Sequence, residues 1–267
     1  MAFGKRLLVF LRDFISFIIY LFICLNFFRK RQRDKCVVLL YHSVGHKYPG
    51  EDPYRLNITP ENFNAHLKVI AGYSDRKIEL TFDDGYGNNF TNAFSLLKGY
   101  GLSATIFLVT DFIDKKISSE SFAGKDFNKR PLTWEEIKIM DMAGIKFGSH
   151  SKTHLFLSKA PKDELEKELT GSKRRIEEVL GYEIDKFSYP FGSIGSFNDA
   201  TKEALINATY NYAYTNVMGQ NPVNPVDKLV LKRLRIYTED GPFRLKMKIE
   251  GAYDWVDAIL SLKRRKI

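Results

Sequence analysis

Seven short runs rich in β-branched and aromatic residues recur along this chain, separated by segments that carry helix punctuation. No other feature limits the fold as much. The runs are VVLLYH (37–42), IELTF (78–82), ATIFLV (104–109), IKFGSH (145–150), KFSYP (186–190), YAYT (212–215) and LVLKRLRI (229–236). Between them, Thr59-Pro60 offers a capping hydroxyl followed by proline at a first helical position, and Thr133 with Glu136 makes a capping box that opens a helix closed by Gly144. Leu165, Leu169, Ile176 and Val179 form a stripe through a longer helix that Gly181 ends. Strand and helix in strict alternation predict parallel strands with helices outside, as an open doubly wound sheet or a closed barrel. In both, ligand sites form at the carboxyl ends of the strands. His42, Asp83, Asp84, His150 and the Pro190-Phe191-Gly192 turn all fall at such ends.

A chain of 267 residues with 44% hydrophobic and 27% charged residues has the composition of a globular protein, not a disordered one. No linker or low-complexity stretch divides residues 36–267, so one domain is expected there. The N-terminus reads differently. Leu7 to Phe28 is apolar except at Arg12, Asp13, Ser16 and Asn26, and no small-residue cleavage site follows it. Residues 1–35 are therefore expected to be a membrane helix with a basic juxtamembrane segment, the alternative being a helix that lies in the interface. The basic cluster Arg29–Lys35 follows the helix, which by the positive-inside tendency leaves the domain in the cytoplasm. The net charge of +9 owes much to that cluster and to Lys263–Lys266, and no nucleic-acid-binding module lies between them. Two cysteines build no disulfide framework.

The chemistry gathers in three short motifs. GSHSKTH sets His150 and His154 four residues apart, a spacing that lets two imidazoles reach one cation. A carboxylate from LTFDDGY completes a set of two histidines and one carboxylate with open coordination positions. Such a set suits zinc or another divalent metal engaged in hydrolysis. The adjacent aspartate can then serve as a proton acceptor, provided the turn at Gly85 aims both side chains inward. Taken alone, Asp-Asp-Gly is a common turn sequence, and the histidines are what favour the site.

LTFDDGY, SHSKTH and FSYPFG, in this order and at these separations, resemble the successive motifs of the polysaccharide deacetylase family, also called carbohydrate esterase family 4 or the NodB homology domain. The similarity runs from about Val37 to Tyr237. It implies a distorted (β/α)7-type barrel, here 36–267, and metal-dependent removal of N-acetyl groups from an amino sugar, with zinc the expected ion. By that resemblance Asp83 is the catalytic base, and Asp84, His150 and His154 are the metal ligands. Phe191 offers a backbone N–H to the oxyanion, with Tyr189 beside it as a substrate contact.

Two departures bear on the site. Where the family commonly has an arginine that tethers the catalytic aspartate, this chain has Ser188; Arg233 resembles a late arginine of the subgroup that begins with a Tyr-His pair and can substitute. The family's C-terminal Leu-x-His is missing, but Leu40-Tyr41-His42 resembles the start of circularly permuted relatives, and in a barrel the first and last strands are neighbours. His42 is thus the expected general acid, while His46 and His66 carry no role. The segment 111–131 is expected to form a rim that either touches sugar through Phe112, Phe122 or Phe127 or merely packs these rings. The expected partner is an N-acetylated glycan of the cell envelope, at the membrane and without nucleic acid. The alternatives are a lipid-linked or soluble sugar precursor on the cytoplasmic side, an O-acetyl ester, or a barrel that binds glycan without turnover.

Overall fold

The computed structural model describes residues 2–24, 34–46, 52, 54–123 and 129–256. The basic stretches at 29–33 and 263–266 and the ring of Phe127 lie outside the described residues.

All seven expected strands form, as β1 (Lys35–Tyr41), β2 (Lys77–Phe82), β3 (Thr105–Leu108), β4 (Lys146–Ser149), β5 (Lys186–Ser188), β6 (Tyr212–Met218) and β7 (Leu231–Arg235). They pair in parallel in chain order, and β7 returns to β1 through Leu39 opposite Leu234 and Leu40 opposite Arg235. The sheet is therefore closed, which decides between the barrel and the open sheet.

Alternation along the strands sorts the side chains into two environments. Val37, Leu39 and Tyr41 of β1 face the main core under the helices, whereas Cys36 and Val38 face the barrel interior with Phe107, Tyr214 and Leu231. At Gly148 on β4 the interior is so tight that a Cβ would lie 2.7 Å from the Phe107 ring and 2.7 Å from the Lys186 carbonyl oxygen. Only glycine lets that ring sit across the barrel.

Among the described residues, the six helices of eight or more residues are α1 (Ala2–Cys24), α2 (Pro60–Ala71), α3 (Trp134–Met142), α4 (Lys162–Leu180), α5 (Asp199–Asn207) and α6 (Pro242–Ile249). The punctuation works as the sequence predicts. Thr59 caps α2 by accepting from the Asn62 N–H, Thr133 and Glu136 close the reciprocal capping box of α3, and Gly181 ends α4 in the left-handed region at φ 78°. Leu165, Leu169 and Ile176 are buried along α4, while Val179 is half-buried.

The N-terminal helix departs from expectation. No helix among the described residues is long and apolar enough to cross a membrane, so the spanning reading of 1–35 has no support. The polar residues inside the apolar run explain why: they are used by the domain. Asp13 accepts from Arg244 at 2.8 Å and from the Tyr253 hydroxyl at 3.1 Å, and Ser16 accepts from the Trp255 indole N–H at 3.0 Å. Tyr20 and Ile23 pack with Met247 and Tyr253 on the same side. β1 begins at Lys35, and the described part of the N-terminal helix packs on the domain through Tyr20 and Ile23.

Candidate active site

Asp83 and Asp84 follow β2 at the carboxyl end of the barrel, and on a regular strand they would point to opposite faces. The backbone breaks that rule: Asp84 sits at φ 76° and Gly85 at φ 77°, so the chain turns and both carboxylates reach one cavity. Left-handed geometry at a non-glycine residue costs energy and recurs here at Ser151, His154 and Phe191, at φ 63°, 63° and 62°. Three such residues lining one cavity, with Ser151 between its two histidines, mark it as a place where side-chain placement overrides backbone comfort.

The cavity has a volume of about 330 Å³. At its floor, one oxygen of Asp84 lies 3.5 Å from His150 Nε2 and 3.7 Å from His154 Nε2, and candidate donor atoms of the three residues lie within 4.8 Å of one another. The His150 Nδ1 N–H donates to the Ser188 carbonyl at 2.7 Å. A carbonyl cannot donate, so that bond fixes the tautomer and turns the Nε2 lone pair toward Asp84. Two lone pairs that face each other across such a gap call for a cation between them. Electrostatics agree with that reading. Burial, with Asp83 adding to it, pushes Asp84 up to about 6, while burial and His150 hold His154 well below the usual imidazole value. His154 can thus act as a neutral ligand, and burial leaves the Asp84 carboxylate in want of a positive charge beside it. The donor set fits zinc or a similar divalent metal.

Asp83 is held differently. Arg233 donates from Nη1 to Oδ1 at 2.8 Å and from Nη2 to Oδ2 at 2.7 Å, and Ser188 Oγ bridges the same carboxylate at 3.2 Å and Arg233 Nη2 at 2.9 Å. Burial alone would raise the Asp83 carboxyl, but Arg233 and His150 outweigh it and hold the group well below the usual carboxylate range. The tether absent from position 188 therefore arrives from β7, and Ser188 leaves room for it. His42, just past β1, lines the cavity with its Nδ1 buried and without a hydrogen-bond partner among the described residues; burial pushes the ring down to about 3, against the pull of Asp83.

Phe191 lines the mouth, 45% exposed, with its ring 4.7 Å from that of His154. Its backbone N–H donates to no protein group among the described residues, as an oxyanion donor requires. Tyr189 does not join the site. Its side chain is buried, donates its hydroxyl to the Leu229 carbonyl at 3.0 Å and stacks on Phe197, because it occupies the outward register of the chain beyond β5. Of the rim phenylalanines, Phe122 reaches the cavity and lies 4.9 Å from His154, whereas Phe112 is buried core. His66 is buried and satisfied by the Tyr41 hydroxyl and the Asp240 carbonyl, as expected of a residue without a role.

The sequence reading missed Tyr54, Ser193, Asn216 and Arg235, which also line the cavity. Arg235 was within reach of it, since a residue two beyond Arg233 on a strand shares its face. Tyr54 and Ser193 sit in loops, where spacing says nothing about direction, and Asn216 lies on β6 beyond the YAYT run.

The sequence profile of polysaccharide deacetylase matches residues 71–213. The chain is 28% identical over 205 residues to YxkH of Bacillus subtilis (strain 168) and 26% identical over 140 residues to YheN of the same organism, both polysaccharide deacetylases by name. These alignments take in 69% and 51% of this chain, and they span 66% of YxkH and 43% of YheN. Among solved structures, the polysaccharide deacetylase BC0361 from Bacillus cereus superposes with a TM-score of 0.68 at 28% identity, over 80% of this chain and 69% of that one. The Streptococcus pyogenes deacetylase PplD, in complex with acetate, superposes with a TM-score of 0.70 at 24% identity over 80% of this chain and 98% of that one, which supports the fold.

Proposed function

This chain belongs to the polysaccharide deacetylase family, and from that premise we propose that it is a metal-dependent hydrolase that removes N-acetyl groups from amino sugars of a cell-envelope glycan. The observation that carries the reading is the pairing of two carboxylates in opposite circumstances: Asp84 set against two imidazoles, and Asp83 held ionised by Arg233 beside them.

A divalent metal, zinc first among the choices, held by Asp84, His150 and His154 would supply Lewis acidity for the acetamide carbonyl and make water a better nucleophile. Asp83 remains a carboxylate at working pH, and it accepts the proton given up as water attacks. The Phe191 N–H donates to the oxygen on which negative charge develops. His42 is neutral at rest, so it must first take up a proton, which the Asp83 carboxylate favours. It then protonates the departing amine. Free amino sugar and acetate result.

The test is acetate release from N-acetylated oligosaccharides measured beside metal content. Asp84→Ala is expected to lose both. Asp83→Asn is expected to keep the metal and lose turnover by about a hundredfold or more, the scale of a missing proton acceptor. Equal metal loss in the two variants would refute this division of labour. No acetate release by the wild type with zinc or cobalt supplied would favour a barrel that binds glycan without turnover.

The reading of localisation rests on α1. Its polar residues face the domain, while Phe10, Leu11, Phe14, Ile15, Ile18, Leu21 and Phe22 are exposed away from it. A soluble surface rarely leaves so many large apolar side chains together, and a helix with one apolar face outward suits the interface of a bilayer. The domain is thereby proposed to rest on the membrane surface, close to membrane-borne glycan.

A further inference from the structure

The barrel-facing side of β7 carries Leu231, Arg233 and Arg235 in successive rungs, because side chains alternate along a strand. Leu231 is part of the apolar interior with Cys36, Val38, Phe107 and Tyr214. Arg233, one rung higher, is 1% exposed and spends its guanidinium on the Thr215 carbonyl, Thr81, Asp83 and Ser188. Arg235 comes next, at the level of the mouth, and lines the same cavity as His42 and Asp84.

The two arginines differ in how they are satisfied. Among the described residues Arg235 makes no side-chain hydrogen bond and no ion pair, and its Nε is buried without a partner. Its guanidinium carbon lies 5.4 Å from the centroid of the Tyr237 ring. Leaving a partly buried guanidinium unpaired is costly, and a fold that tolerates this usually does so for a ligand. The carboxylates of the site do not supply the missing partner: Asp83 is matched by Arg233, and Asp84 faces the two histidines. A cation held by Asp84 would add positive charge to the cavity without consuming that of Arg235.

We propose that Arg235 binds an acidic group, a carboxylate or a phosphate, carried by the glycan at or beside the sugar that is deacetylated, so that the substrate is an acidic glycan. The planar fork of a guanidinium matches two oxygens of such a group, and a charge-assisted pair in a partly desolvated cavity gives both affinity and orientation. Arg235 is thus a specificity-determining residue for the reaction proposed above, and this assignment rests on that reading. The acetate released by the reaction has the same chemistry and is the competing occupant.

The experiment compares kcat/KM on two N-acetylglucosamine oligomers of equal length, one neutral and one with a carboxylate on alternate units. The metal-loaded wild type, Arg235→Gln and Arg235→Lys are assayed, with acetate inhibition measured for each. The wild type is expected to prefer the carboxylated oligomer. Arg235→Gln should lower that preference by about tenfold or more, chiefly through KM, the size expected for one charged hydrogen-bonded pair. Arg235→Lys should restore part of it, and added salt should erode the preference in the wild type and in Arg235→Lys but not in Arg235→Gln. An unchanged preference in Arg235→Gln, with Arg235→Lys the deciding variant if the glutamine form does not fold, overturns the proposal. So does an equal loss on both oligomers with relief of acetate inhibition, which assigns Arg235 to the product. Wild-type protein that releases acetate from neither oligomer overturns the deacetylase reading and this inference together, whereas activity on both with no effect of position 235 overturns the inference alone.

Discussion

The Asp83–Arg233 pair shows how much one residue can depend on a distant one. Both side chains are almost wholly buried, and they come from positions 150 residues apart. Arg233→Gln would leave a buried carboxylate without its counter-charge, which costs about 3 to 5 kcal/mol in comparable cases. The pH dependence has a definite sign. In the wild type the folded value of Asp83 lies below its unfolded value of about 4, so the stabilisation is complete above that pH and is lost as pH falls toward the folded value. In the variant, burial raises the group instead, and protonation relieves the strain on acidification. Urea unfolding is therefore expected to show a gap between the two proteins that is widest near neutral pH and narrows as pH falls. A gap independent of pH would mean that the arginine contributes packing alone.

Among the elements, α1 is the one whose outward face nothing in the domain explains. Its inner side is tied to α6 and to Tyr253 and Trp255, so the exposed phenylalanines and isoleucines are presented in a fixed plane. The full chain is expected to co-sediment with lipid vesicles, more strongly when they are anionic, given the net charge of +9. Phe14→Asp together with Ile18→Asp should weaken that binding by about tenfold or more while preserving the thermal transition, since each large apolar side chain moved from water into lipid is worth about 1.5 to 3 kcal/mol. Binding unaffected by the two substitutions would assign the membrane contact to the basic stretches instead.

At the scale of the whole molecule, barrel closure is what turns separate strand ends into one site. His42 follows β1 and Arg233 lies on β7, and they approach the same carboxylate because these two strands pair. Closure in turn depends on an interior filled without excess. Gly148→Ala would drive a methyl group into the Phe107 ring and the Lys186 carbonyl, so one strand or the ring must shift. The expected loss is about 1 to 3 kcal/mol, read as a lower urea midpoint, with a fall in activity because β4 carries His150 at its end. A variant as stable as the wild type would show that the interior has slack.

The sequence alone determined the order and kind of the elements and the chemical types at the strand ends, because periodicity, caps and turn residues act within a few positions along the chain. It also identified the residues that could hold a metal. What it could not determine was direction. That both aspartates reach one cavity depends on left-handed turns at Asp84 and Gly85, and that Tyr189 leaves it depends on the register beyond β5. The replacement of a tether at position 188 by Arg233 and the inward use of Asp13 and Ser16 each require partners far away in the chain. Such contacts are set by how the sheet closes and how the helices pack upon it, and a local pattern carries no record of them.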